Sequence, residues 1–114
     1  MDIEKISALL HVISPEPRLA IIMAIGKGEA CVCHLESILG LRQAYISQQL
    51  MALRDAGLLS ARREGKFVLY SLEKPEILEI VRQMAHLAGV DSSLLITTSP
   101  MQEPCGCARC TNAG

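Results

Sequence analysis

The stretch QAYISQQLMALRDAGLLSARREGKFVLYSL, residues 43–72, decides the fold of this chain. Its first half has helical periodicity, because Ile46, Leu50 and Leu53 stand at the i, i+4 and i+7 positions of a stripe that packs against a core. The glycine that follows ends this helix. We therefore predict a helix over residues 43–56, with one buried face and one exposed face.

The second half of the stretch reads as two short strands around a charged turn that contains glycine. Side chains alternate between the two faces of the second strand, with Val68 and Tyr70 on one of them, so that one strand face can cover the core. Arg63 and Lys66 lie at the predicted tip, where they can approach a nucleic-acid backbone. A helix followed by this hairpin predicts a wing. A merely solvated tip is the alternative for each charge taken singly.

The other segments read as helices separated by glycine or proline. A short helix, a glycine turn and the helix over residues 43–56 form a helix-turn-helix pattern. The fold class predicted is mainly α with a small β-hairpin, a winged helix-turn-helix in the order α-α-α-α-β-β-α. We predict that residues 1–90 form its DNA-binding and dimerisation domain and that residues 91–114 form a flexible cysteine-containing tail. The further helices are predicted over residues 3–13, 16–25, 32–39 and 75–88, with Pro75 in the first turn of the last.

Charge is distributed unevenly along the chain. The formal net charge is −1 over 114 residues, yet residues 40–72 carry five bases and only two acids. A basic segment inside an acidic frame is typical of nucleic-acid binding. With no Trp, one Phe and two Tyr, the chain lacks the aromatic platforms that bind single strands. We therefore predict double-stranded DNA as the partner.

The exposed face of the predicted helix 43–56 carries side chains suited to reading DNA. Amides and hydroxyls form hydrogen bonds with base edges in the major groove, and an adjacent arginine can hold a phosphate. A solvated polar face is the alternative for an isolated helix, but the adjoining wing favours DNA. The predicted contacts are Arg42, Gln43, Tyr45, Ser47, Gln48 and Gln49, together with Arg63 and Lys66 of the wing.

The last helix presents more apolar surface than one small domain needs. It could pack with the first helix against a second subunit, giving a homodimer whose recognition helices meet half-sites about 34 to 36 Å apart. We place Met23, Met51 and Met84 in the core. No apolar run approaches the roughly 18 residues of a membrane span, and no signal peptide is recognisable, so we expect a cytoplasmic protein without a membrane partner.

Five cysteines form two clusters, one at Cys31 and Cys33 and one in the tail. Thiols stay reduced in the cytoplasm, where closely spaced cysteines are more often metal ligands or redox sensors than structural disulfides. Residues i and i+2 of a helix point about 200° apart, so the first pair can share an ion only if Cys31 lies at or before the helix start. A helix amino terminus also favours thiolates. The tail cluster comprises Cys105, Cys107 and Cys110.

The order of elements and three segments resemble the ArsR/SmtB family of bacterial metal-responsive repressors. The segments are 29–35 with its Cys-Val-Cys, the recognition stretch 41–50, and Arg63-Glu64-Gly65-Lys66. This resemblance covers residues 3–90. It implies a dimeric repressor that leaves its operator when an inducer binds, and the Cys-Val-Cys implies sensing of arsenite, cadmium or lead.

The chain also departs from that family. The similar arsenite sensors have a third cysteine where this chain has Glu36, and the amino-terminal arm has no cysteine. We therefore predict that both clusters ligate one thiophilic ion, As(III), Cd(II) or Pb(II), with Zn(II) also compatible. Redox or persulfide sensing and a permanent structural zinc are the alternatives. A further alternative is that Cys31 and Cys33 are only small buried side chains that pack like apolar residues. No spacing of Ser, His, Asp or Glu resembles a catalytic constellation, so we do not expect an enzyme.

Overall fold

The structure, a computed structural model, describes residues 2–91. Within this range the chain forms five helices and three strands, and the predicted winged helix-turn-helix is confirmed. The predicted helix and hairpin positions are confirmed to within two residues. The elements are α1 (Ile3–Ile13), α2 (Glu16–Ile25), β1 (Ala30–Cys31), α3 (Val32–Leu39), α4 (Gln43–Asp55), β2 (Leu59–Glu64), β3 (Phe67–Leu72) and α5 (Ile77–Leu87).

The structure adds one strand to the predicted order. Residues 30 and 31 pair antiparallel with β3, so that the wing is a three-stranded sheet in the order β1-β3-β2. The helix predicted to begin at Pro75 begins instead at Ile77. Pro75 lies in the preceding turn, where its carbonyl accepts a hydrogen bond of 3.0 Å from the amide of Leu78.

The core lies around α2, where Ile21 and Ile22 are fully buried. The predicted stripe of α4 is confirmed, since its three members Ile46, Leu50 and Leu53 are all buried in the same cluster. Gly40 ends α3 in the left-handed region, with φ of 68°. Glycine adopts this conformation without the steric penalty of a Cβ, so that α4 can follow α3 after a tight turn.

The outer surfaces of α1 and α5 remain apolar and exposed. Two of the methionines predicted in the core are not there, because Met51 is 65% exposed and Met84 is 54% exposed. Within the described part of the chain no single helix has the length and apolar composition to span a membrane, although α1 and α2 pass jointly as a pair bent by 82°. The exposed apolar residues of α1 and α5 and the turn after α5 are Ile3, Ile6, Leu9, Leu10, Ile80, Met84, Leu87 and Val90.

Candidate thiol site and DNA-binding surface

Cys31 and Cys33 form a close pair of thiols at the start of α3. Cys31 occupies the N-cap position with φ of −92° and ψ of 168°, so its backbone is extended, whereas Cys33 lies in the first turn of the helix. Their Sγ atoms are 3.0 Å apart. A disulfide bond is about 1 Å shorter, so both side chains are thiols. Cys31 therefore lies at the helix start, which is the condition for the two thiols to share one ion.

The thiol pair lies against the wing. Cys31 is 3% exposed and Leu69 of β3 is 1% exposed, and the two pack together with Cys33 and Phe67 beside them. Cys33 is only partly buried. Of the two thiols, that of Cys33 is therefore the more accessible.

The described residues 2–91 contribute two thiols to this site. In that range no group of three His, Cys, Asp or Glu side chains is placed to hold a metal ion. His34 is buried on α3, and burial lowers the pKa of its imidazole. Thiolate sulfur fits soft ions, but two thiolates leave a trigonal or tetrahedral ion short of ligands. The tail ligands predicted for the rest of the site, Cys105, Cys107 and Cys110, lie outside the described residues.

The amino-terminal part of α4 presents the predicted polar face. Arg42, Gln43, Tyr45 and Gln48 are exposed, and Ser47 is half-buried beside them. The exposed side chains are available to a groove of DNA, while the buried stripe holds the helix on the core.

Gln49 differs from its neighbours on α4. It is half-buried, and its Oε1 atom accepts a hydrogen bond of 2.8 Å from Nε of Arg18. The same guanidinium donates from Nη1 to the carbonyl oxygen of Val12 at 3.0 Å. Through Arg18 of α2, Gln49 therefore links α4 to the carboxyl-terminal end of α1.

The wing tip carries the two predicted bases. Arg63 and Lys66 are both exposed, at the end of β2 and in the turn before β3. Gly65 in this turn has φ of 60°. Because a side chain would strain that conformation, the glycine allows a tight turn that brings both bases to the tip.

Arg62, next to Arg63, is engaged differently. Its Nε atom donates to Oε2 of Glu29 at 2.6 Å and its Nη2 atom to Oε1 of Glu29 at 2.9 Å. Its Nη2 atom also lies 3.1 Å from Oε2 of Glu64. The hydrogen bond to Glu29 is the main cause of the raised pKa of Arg62. Two carboxylates thus compensate a charge that counts toward the basic segment in the sequence.

The periodicity of the sequence missed part of the exposed surface of α4. Ala44 and Met51 are both exposed and stand at i−4 and i+3 from Gln48, on the same side of the helix. Spacing from Gln48 is the signal that could have identified them. Apolar side chains at such positions can contact the methyl group of thymine.

The fold and this polar helix face define a DNA-binding protein of the winged helix-turn-helix class. Residues 15–61 match the family model described as "Bacterial regulatory protein, arsR family". The chain is 32% identical over 80 residues to the biofilm growth-associated repressor of Agrobacterium fabrum, covering 70% of this chain and 68% of that protein. The chain therefore belongs to the ArsR/SmtB family of transcriptional repressors.

Two further relatives extend the comparison. The arsenical resistance operon repressor of Escherichia coli is 42% identical over 65 residues, covering 56% of each chain. The chain thus spans little more than half the length of that relative. The crystal structure of NolR from Sinorhizobium fredii superposes with a TM-score of 0.70 and 28% identity, covering 79% of this chain and 90% of that one. The resemblance predicted from the sequence is confirmed at the level of family and fold.

Proposed function

We propose that the protein is a dimeric repressor that binds double-stranded operator DNA and releases it when a thiophilic metal or metalloid binds to Cys31 and Cys33. The observation that carries this proposal is the Sγ–Sγ distance of 3.0 Å at the amino terminus of α3. Two sulfurs in one place can share a soft ion, and the helix terminus favours their thiolate forms. As(III), Cd(II) and Pb(II) are the proposed inducers, and Zn(II) also fits such ligands.

The tail supplies the missing ligands in this proposal. One or more of Cys105, Cys107 and Cys110 complete a trigonal site for arsenite or lead, or a tetrahedral site for cadmium. In this proposal the tail cysteines reach the ion from the side of Cys33, which is partly exposed. The similarity to the arsenical resistance operon repressor supports arsenite as the first ion to test.

The DNA contacts in this proposal divide by chemistry. Gln43, Tyr45, Ser47 and Gln48 read base edges, and Arg42 holds a phosphate beside them. Gln49 has a lesser part, because its oxygen is bonded to Arg18. Arg63 and Lys66 contact the sugar-phosphate backbone from the wing.

A homodimer is part of the same proposal. The exposed apolar residues of α1 and α5 are the candidate interface, because large exposed apolar patches mark association sites. Two copies joined by a two-fold axis would present paired recognition helices to a palindromic operator.

The coupling between the two sites follows from the order of elements. The thiols stand at the start of α3, and α3 packs directly on α4. An ion drawn between Cys31, Cys33 and the tail shifts the start of α3, and α4 moves with it. A coupling free energy of about 1 to 3 kcal/mol is enough to change operator occupancy substantially.

A redox sensor is the second candidate, and the same distance supports it. Thiols whose sulfurs lie 3.0 Å apart can be joined by a disulfide or a polysulfide with little movement. An operator-release titration distinguishes the candidates. Reduced protein on labelled operator DNA is titrated separately with arsenite, cadmium, lead, zinc and an organic persulfide while fluorescence anisotropy is recorded. Release by one soft ion supports metal sensing, and release by the persulfide alone supports redox sensing.

A further inference from the structure

The thiol site involves the sheet of the wing as well as α3, because Cys31 belongs to β1 and Cys33 to α3. Cys31 of β1 is paired with Leu69 of β3, and Leu69 is paired with Arg62 of β2. Directly paired residues of an antiparallel sheet place their side chains on the same face. Cys31, Leu69 and Arg62 therefore form one row across the three strands, with the buried leucine between the thiol and the guanidinium.

A bidentate ion pair links Arg62 of this row to the residue that precedes β1. Arg62 reaches Glu29, the residue before β1, through two hydrogen bonds of 2.6 and 2.9 Å. Single ion pairs at a protein surface contribute little, but parallel hydrogen bonds between guanidinium and carboxylate are the exception, because their geometry is fixed. The ion pair ties the start of β1 to β2 across the width of the sheet.

The strand that carries Cys31 is short. Only two residues of β1 pair with β3, which are Ala30 with Tyr70 and Cys31 with Leu69. A strand of this length is marginal by itself. The Glu29–Arg62 pair and the packing of Cys31 on Leu69 therefore help to hold this strand on the wing.

A bound ion would require the sulfurs of Cys31 and Cys33 to separate. Two metal–sulfur bonds of about 2.3 Å at a tetrahedral angle place the sulfurs about 3.8 Å apart. The sulfurs of Cys31 and Cys33 are 3.0 Å apart, so they must separate. Cys31 is buried against Leu69, and its displacement acts on the wing through β1.

We propose that the Glu29–Arg62 ion pair couples the thiol site to the wing. Ligand binding at Cys31 and Cys33 then lowers operator affinity partly by shifting the wing. Arg62 is a positioning residue in this proposal and makes no phosphate contact. The inference rests on the proposed function, because it names the route by which the same site acts on DNA.

The adjacent arginines of β2 provide a matched test. The operator Kd of the full chain is measured by anisotropy at several salt concentrations, without and with saturating arsenite, and again with cadmium. For R62Q we expect an unchanged salt dependence and a ratio of the two Kd values that is about fivefold smaller than in the wild type. For R63Q we expect the reverse, a salt slope reduced by about 0.9 and an unchanged ratio. The charge-exchanged double variant Glu29→Arg with Arg62→Glu should restore the wild-type ratio.

Amide hydrogen exchange gives a second readout that does not depend on DNA. R62Q should accelerate exchange in residues 30–31 and 67–72 of the unliganded protein, and arsenite should do the same in the wild type. A full wild-type ratio and wild-type exchange in R62Q would overturn the coupling while leaving metal sensing intact. A salt slope lowered by R62Q would also overturn it, because Arg62 would then contact a phosphate. If neither ion released the wild-type protein, the proposed function itself would fail, and the coupling with it.

Discussion

The Sγ atoms of Cys31 and Cys33 lie 3.0 Å apart, although residues two positions apart in a helix point about 200° away from each other. The extended backbone of Cys31 resolves this difference, since only Cys33 belongs to the helix. Cys31 belongs to β1 and Cys33 to α3, so their thiols meet where α3 adjoins the wing.

The tail cysteines are expected to strengthen inducer binding without affecting DNA binding. Replacing Cys105, Cys107 and Cys110 together by Ser removes the ligands that complete the ion's coordination. The arsenite concentration for half-release should then rise by about tenfold or more, while operator affinity without arsenite stays unchanged. An anisotropy titration of both proteins measures this. An unchanged midpoint would show that the first two thiols suffice.

The wing bases are expected to contribute sequence-independent affinity. Arg63→Ala and Lys66→Ala should each weaken binding to specific and unrelated duplexes alike, and each should reduce the slope of log K against log salt by about 0.9. Lys5→Ala on α1 serves as the control and should leave the slope unchanged. A loss confined to the operator sequence would instead place these side chains at base edges.

The buried stripe of α4 predicts a contrast between two adjacent residues. Leu50 is 1% exposed and Met51 is 65% exposed. Leu50→Ala should lower the free energy of unfolding by about 2 to 5 kcal/mol, because it leaves a cavity in the core. Met51→Ala should change it by less than about 0.5 kcal/mol. Urea denaturation at one fixed protein concentration measures both, and equal losses would contradict the burial of this stripe.

The apolar surface of α1 and α5 is expected to be the dimer interface. Leu10→Glu or Met84→Glu places a charge on that surface, so each should shift the protein to monomers and weaken operator binding. Ser14→Glu adds the same charge outside both helices and should leave the dimer intact. Sedimentation velocity measures the oligomeric state. Dimers that persist in both charged variants would place the interface elsewhere.

Local pattern predicted much of the fold and part of the site. The spacing of Ile46, Leu50 and Leu53 identified α4, because helical periodicity can be recognised within one short segment of sequence. The pair of residues in β1 is too short to show alternation, and its partner Leu69 lies far along the chain. The prediction that Met51 lies in the core was wrong, because Met51 is 65% exposed and lies on the side of α4 that carries Gln48.

Contacts between distant residues account for what the sequence could not show. Glu29 with Arg62 and Arg18 with Gln49 are each separated by more than thirty positions, 33 and 31 respectively. No periodicity relates such residues. The composition of residues 40–72 counted Arg62 as a charge for DNA, whereas the fold pairs it with Glu29. The proximity of the two thiols follows from one local segment and could be predicted, whereas ion pairs and hydrogen bonds between distant residues could not.

The most direct test of the central claim compares the wild type with Cys31→Ser/Cys33→Ser in one operator-release titration. Arsenite, cadmium and lead are added separately to reduced protein on labelled operator DNA. We expect release of the wild type by at least one of them at about one equivalent per site, and equally tight but unreleased binding of the double variant. Release of the double variant at the same concentration would contradict the claim that these two thiols sense the inducer.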